Sequence, residues 1–143
     1  MDFNNCDHQL QYSLLNDLTK AMDGEHEAIC FYEMLANMAP NASIKKLILE
    51  IREDEIRHFH MFEHIYFCLT GCQYHPQTQP TYPKSFLHGI DKAFHDEQET
   101  VDFYHSVARK VQEPWISCAF SEAASDEQNH AVWFLYFMQI CRN

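Results

Sequence analysis

Four stretches of the sequence carry an apolar stripe that advances in steps of three and four residues, and a glutamate breaks each stripe near its middle. The first stripe reads Leu14, Leu18, Ala21, Glu25, Ala28, Tyr32, Leu35. The second reads Ile44, Ile48, Ile51, Glu55, His58, Phe62, Ile65, Leu69. The third reads Phe86, Ile90, Ala93, Glu97, Thr100, Tyr104, Val107, and the fourth Ile116, Phe120, Ala123, Glu127, His130, Phe134, Phe137, Cys141. Apolar residues at this period line one face of a helix. Four such faces need one another, so the pattern predicts an all-α four-helix bundle with helices at about 12–38, 43–69, 85–111 and 114–141. The interruptions all fall mid-stripe, which puts them at one level of the bundle.

Punctuation agrees with these bounds. Pro40 follows the first segment, Gly71 suits the residue just past the second, and Pro114 suits the first turn of the fourth. The chain also repeats itself. Glu97 follows Glu25 by 72 residues, and the same offset links Tyr32 to Tyr104, Asp54 to Asp126, Glu55 to Glu127 and His58 to His130. Two duplicated helical hairpins, related by a pseudo-twofold axis, would bring both polar clusters to one centre. The linker between them, TGCQYHPQTQPTYPK, holds Pro76, Pro80 and Pro83. About 14 extended residues span roughly 46–50 Å. A helix of about 27 residues is roughly 40 Å long. The linker can therefore run the length of the bundle, which makes helices two and three parallel in a single domain covering residues 1–143.

Charge narrows the partners. Ten Lys+Arg against 21 Asp+Glu give a formal net charge of −11. Nucleic acid and anionic membrane surfaces both require a basic patch, so neither is expected as a partner; a cation is. The opening MDFNNCDHQLQYS lacks the basic and apolar regions of a signal peptide. No uninterrupted apolar run reaches the roughly 18 residues of a membrane span. The expected location is the cytoplasm, with Cys6, Cys30, Cys68, Cys72, Cys118 and Cys141 as reduced thiols.

Four carboxylates in a bundle core need compensation, since each unpaired ion costs several kcal/mol. None of the ten Lys+Arg falls on a stripe, and two histidines cannot balance four glutamates. Two divalent metal ions can. Residues i and i+3 share a helix face, so Glu55 with His58, and Glu127 with His130, can each reach one metal. Glu25 and Glu97 add one ligand each. One Glu from each of two helices, plus Glu-x-x-His from each of the other two, is the ligand set of di-iron carboxylate bundles. Iron is the expected metal, with manganese as a rival that the same oxygen and nitrogen donors suit.

These segments, GEHEAICFY, DEIRH, DEQETVDFY and DEQNH, resemble the ferritin-like superfamily, and most closely its rubrerythrin-type branch. The resemblance covers all four helices. It implies a ferritin-like bundle holding two iron ions, with Glu55 and Glu127 bridging and Glu25 and Glu97 terminal. It also implies chemistry with dioxygen or hydrogen peroxide. Two features depart from rubrerythrins. Thr100 stands where they carry a further glutamate, and no accompanying rubredoxin domain is expected, so the electron donor is left unspecified.

Around the ligands, Asp54 is expected to hold His130, and Asp126 to hold His58, across the bundle. Tyr32 and Tyr104 lie seven residues after a ligand on the same face. They are candidates to hydrogen-bond ligand carboxylates or supply an electron, with ordinary core tyrosine as the alternative. Thr100 is expected to face the metal pair. Glu27 and Glu99 should face solvent, and His60, His64, His95 and His105 miss the stripes. The leading functional expectation is a di-iron oxidoreductase oxidising Fe(II) with dioxygen or peroxide. An iron storage or delivery protein and a metal-stapled structural protein are the alternatives. Long apolar helices with Trp115 or Trp133 available suggest a homodimer.

Overall fold

The computed structural model describes residues 3–142, with the side chains of residues 3–8 and 10 outside that description, Cys6 among them. Four helices form: α1 (Phe3–Asn37), α2 (Ala42–Thr70), α3 (Phe86–Lys110) and α4 (Pro114–Cys141). The last three match the expected bounds within one residue. α1 starts nine residues before the expected Tyr12, because no proline or glycine interrupts the chain before Gly24.

The helix ends follow from local chemistry. The Asn41 side chain accepts the Ile44 N–H at 3.0 Å, and Ser85 accepts the His88 N–H at 3.2 Å. These caps satisfy donors that the first turn leaves open. Gly71 ends α2 at φ 70°, a left-handed conformation that glycine adopts without penalty, and its N–H reaches the Phe67 carbonyl at 2.8 Å.

Cross-helix contacts fix the topology. Arg52 Nε donates to the Ile29 carbonyl between α1 and α2, and the Ser117 hydroxyl to the Ala108 carbonyl between α3 and α4. Each hairpin is antiparallel. Lys110 pairs with Asp17 at 2.9 Å, while Tyr32 bonds Glu97, so α1 and α3 are also antiparallel. It follows that α2 and α3 run parallel, which requires the long crossover.

That crossover is strapped along α1. Asp23 accepts the Tyr74 hydroxyl at 3.0 Å and the Gln77 N–H at 2.9 Å; His26 pairs with Thr78 at 2.7 Å. Further along, Gly89 brings α3 against Leu35, where a Cβ would lie 2.5 Å from Leu35 Cδ1 and 3.1 Å from Pro83 Cβ. The strap therefore descends from Asp23 to the level of Leu35 before α3 begins.

The apolar core is split in two. One half gathers Leu18, Met22, Phe62, Ile65, Val107 and Phe120; the other gathers Leu35, Ile48, Ile90, Phe134 and Phe137. Between them lies a polar layer of Glu25, Glu55, His58, Glu97, Glu127 and His130, the buried carboxylates and imidazoles among the described residues.

Candidate metal centre

The glutamates and histidines that interrupt the stripes meet in this layer, each no more than 2% exposed. Two groups of four converge. Glu25, Glu55, His58 and Glu127 can each place one ligand atom within 4.8 Å of the others, and so can Glu55, Glu97, Glu127 and His130. Glu55 and Glu127 belong to both groups, and the 72-residue repeat exchanges one group for the other.

The fit to metal can be tested on the polar atoms themselves. A buried polar atom without a partner costs about 1–3 kcal/mol, and more when charged. Among the described residues, buried side-chain atoms without a hydrogen-bond partner include Oε2 of Glu25 and Glu97, Oε1 of Glu55 and Glu127, and Nδ1 of His58 and His130. All six belong to the expected ligands. Nδ1 of His58 lies 2.8 Å from Glu127 Oε1, and Nδ1 of His130 lies 2.8 Å from Glu55 Oε1. These pairs are close without being aligned as hydrogen bonds, the geometry of atoms that share a point between them. The residues present fit a metal cation.

The electrostatics agree. Burial, reinforced by the charges of Glu55 and Glu127, raises the Glu25 carboxyl well above its usual range; burial with Glu127 and Glu55 does the same to Glu97. Burial also opposes charge on His58 and His130. Yet the adjacent carboxylates of Glu127, Glu25 and Glu55 push His58 upward, and those of Glu127, Glu55 and Glu97 push His130 upward. As protein groups alone, Glu25, Glu97 and the two histidines favour their protonated forms, while Glu55, despite its burial, is held below its usual range by Glu25 and the two histidines. A metal ion supplies the same positive charge.

Supporting residues hold each ligand. His58 Nε2 pairs with Asp126 Oδ2 at 2.9 Å, and His130 Nε2 pairs with Asp54 Oδ2 at 2.9 Å, so both cross-bundle pairings match the sequence expectation. Each aspartate leaves Nδ1 turned inward. Arg57 joins the two aspartates, bonding Asp54 and lying 3.7 Å from Asp126. Burial raises Asp54, but His130 and Arg57 outweigh it and hold the carboxyl below its usual range. Arg57 misses the seam, so the stripes do not single it out; its place three residues after Asp54 is the signal in the sequence.

The tyrosines are placed by the same symmetry. Tyr32 donates its hydroxyl to Glu97, and Tyr104 donates to Glu25, each reaching across to the other hairpin. Burial, then the facing glutamate, raises both phenols well above their usual range, so each keeps its proton and remains a donor.

Thr100 lines the cavity beside Glu97, but its hydroxyl donates to the Asp96 carbonyl at 2.8 Å, back along its own helix. Glu27 and Glu99 are exposed at the mouth of that cavity. His60, His64 and His95 are exposed and His105 half-buried, all outside the layer. Cys30, Cys68, Cys72, Cys118 and Cys141 are free thiols. Among the described residues, no helix is long and apolar enough to cross a membrane.

Fold and site together define a four-helix bundle whose core holds two overlapping Glu/His clusters able to bind metal. The chain is 46% identical, over 125 residues, to YhjR, an uncharacterized protein of Bacillus subtilis strain 168, with 87% of this chain and 86% of the relative covered. It belongs to the same family as YhjR. No protein-family model matches it. A solved structure of a hypothetical protein from Pyrococcus furiosus aligns with a TM-score of 0.75 over 89% of each chain, at 19% identity, and so shares the fold.

Proposed function

We propose that this protein is a ferritin-like, non-haem di-iron oxidoreductase of rubrerythrin-like chemistry that oxidises Fe(II) with dioxygen or hydrogen peroxide. The observation that carries this reading is the sharing of Glu55 and Glu127 between two clusters, each completed by one histidine and one terminal glutamate. Iron held there would supply the redox step: two Fe(II) give two electrons, which with two protons convert hydrogen peroxide to two waters.

The protein's own part is to hold and shield. Tyr32 and Tyr104 each occupy one oxygen of a terminal glutamate and leave Oε2 for metal. Asp54 and Asp126 fix the imidazoles so that Nδ1 faces the centre. The two apolar half-cores above and below the layer keep water from those faces. The free thiols suit a reducing, cytoplasmic setting. The exposed apolar side of α4, with Val132, Leu135 and Tyr136, suits pairing of two copies.

The experiment is anaerobic loading of the full chain with Fe(II), then addition of dioxygen or peroxide, followed by optical spectra and metal counting. The reading expects about two irons per chain and their oxidation on mixing. Retention of many irons per chain would favour storage. Two irons that do not respond to either oxidant would favour a structural metal. Faster or tighter loading with Mn(II) than Fe(II) would change the metal.

A further inference from the structure

The four sides of the bundle are not equally closed over the centre. On the α2–α4 side, Arg57, Asp54 and Asp126 cover the histidines. Between α1 and α3 a cavity of about 580 Å³ opens to the surface and reaches Glu25, Glu97, Glu55 and Glu127.

Two contacts related by the repeat flank this opening. Lys20 Nζ, on α1, lies 4.1 Å from the centroid of the Phe103 ring on α3. Lys92 Nζ, on α3, lies 5.5 Å from the centroid of the Phe31 ring on α1. Each ammonium is held against an aromatic face, and Lys92 is further engaged by Asp96. Between the two contacts the wall is low. Gly24 lacks a side chain, and a Cβ placed there meets no atom within 4 Å. Glu27 and Glu99 stand exposed at the mouth, and neither has a cationic partner among the described residues. Further in, the same cavity is lined by Glu25 and Glu97, whose Oε2 atoms are buried and unpartnered.

We propose that the α1–α3 groove is the path by which a divalent metal cation reaches the centre, with Glu27 and Glu99 capturing the ion at the surface. This rests on the metal-binding reading of the centre. Carboxylate oxygens suit hard divalent cations. A cleft lined by one sign of charge concentrates its counter-ion and raises association rates by about 10- to 1,000-fold. The two lysines are drawn aside onto rings, so the middle of the groove presents oxygen. The route is kinetic: the six inner ligands set the equilibrium, and the groove sets how fast it is reached.

Co(II) is a suitable probe, mixed rapidly with metal-free full-length chain and followed by its visible absorption, then withdrawn with excess chelator. The double substitution Glu27→Gln/Glu99→Gln should slow loading at least about tenfold at low ionic strength and flatten its salt dependence. Two Co(II) per chain should still bind. Gly24→Trp fills the opening and should slow loading and release by the same factor, leaving the dissociation constant unchanged. Variants that load at the parental speed, while the parent binds two Co(II), overturn the route and leave the centre standing. A parent that binds no Co(II) overturns the centre and the route together. A changed dissociation constant in Glu27→Gln/Glu99→Gln with unchanged loading rate assigns these residues to the equilibrium site and also overturns the route.

Discussion

Asp126 Oδ2 sits 2.9 Å from His58 Nε2, joining α4 to α2 at the edge of the buried layer. The repeat places Asp54 against His130 at the same distance. Both aspartates lie partly in solvent while both imidazoles are buried, so each pair connects the surface to the centre. The carboxylate accepts the Nε2 proton, and Nδ1 is left to point at the ligand glutamates.

If that pairing orients the ligand, its loss weakens metal binding without removing a ligand. Asp126→Ala or Asp54→Ala is expected to lower metal affinity by about 10- to 100-fold, with two metals still bound at saturation. Competition against a chromophoric chelator measures this directly. Parental affinity in both variants would show that the aspartates do not orient the histidines.

Tyr32→Phe and Tyr104→Phe each remove a buried hydroxyl from a glutamate. Leaving a buried carboxyl oxygen without its donor costs about 1–3 kcal/mol. Each variant of the metal-free protein should lose stability of that order in urea unfolding, and because the repeat relates the two sites, the losses should be similar. Both should still bind two metals. A variant as stable as the parent would remove the hydroxyl from the account of the layer.

Thr100→Ala is expected to keep both metals and to change oxidant turnover by less than about fivefold, a difference under about 1 kcal/mol in barrier. The hydroxyl already donates to Asp96 on its own helix, so no bond to the centre is lost. A larger change in turnover would mean that the side chain turns toward the groove during reaction.

Much of this was legible in the sequence because burial and period are linked. A glutamate at a seam position such as Glu25 or Glu97 must reach the core once its helix forms, and the 72-residue offset says that the two halves meet. The crossover was legible from length alone. The start of α1 was not, because the run before Tyr12 lacks the stripe's regularity, yet holds nothing that breaks a helix. Thr100 had the right seam spacing, but spacing does not choose a rotamer; a hydroxyl within reach of the carbonyl four residues back bonds to it. Lys20 and Lys92 lie off the seams, so their reach to Phe103 and Phe31 became visible only with the helices packed.

Metal removal should cost stability, since six buried ionisable groups are then left to one another. At free metal a hundred times the dissociation constant, one site contributes about 2.7 kcal/mol. For a chain of this size that corresponds to a rise in Tm of about 8 °C or more. Scans with and without chelator measure the difference. Equal Tm values in the two conditions would mean that no site of this affinity exists in the folded chain.

Anomalous diffraction from crystals of the protein loaded with Fe(II) under anaerobic conditions would locate the metals in the buried layer. Two peaks per chain are expected, about 3.5–4 Å apart as in paired-metal sites. Glu55 and Glu127 should lie between them, with His58 and Glu25 on one ion and His130 and Glu97 on the other. A single peak, or peaks confined to the surface with the six buried side chains unligated, would contradict the paired centre.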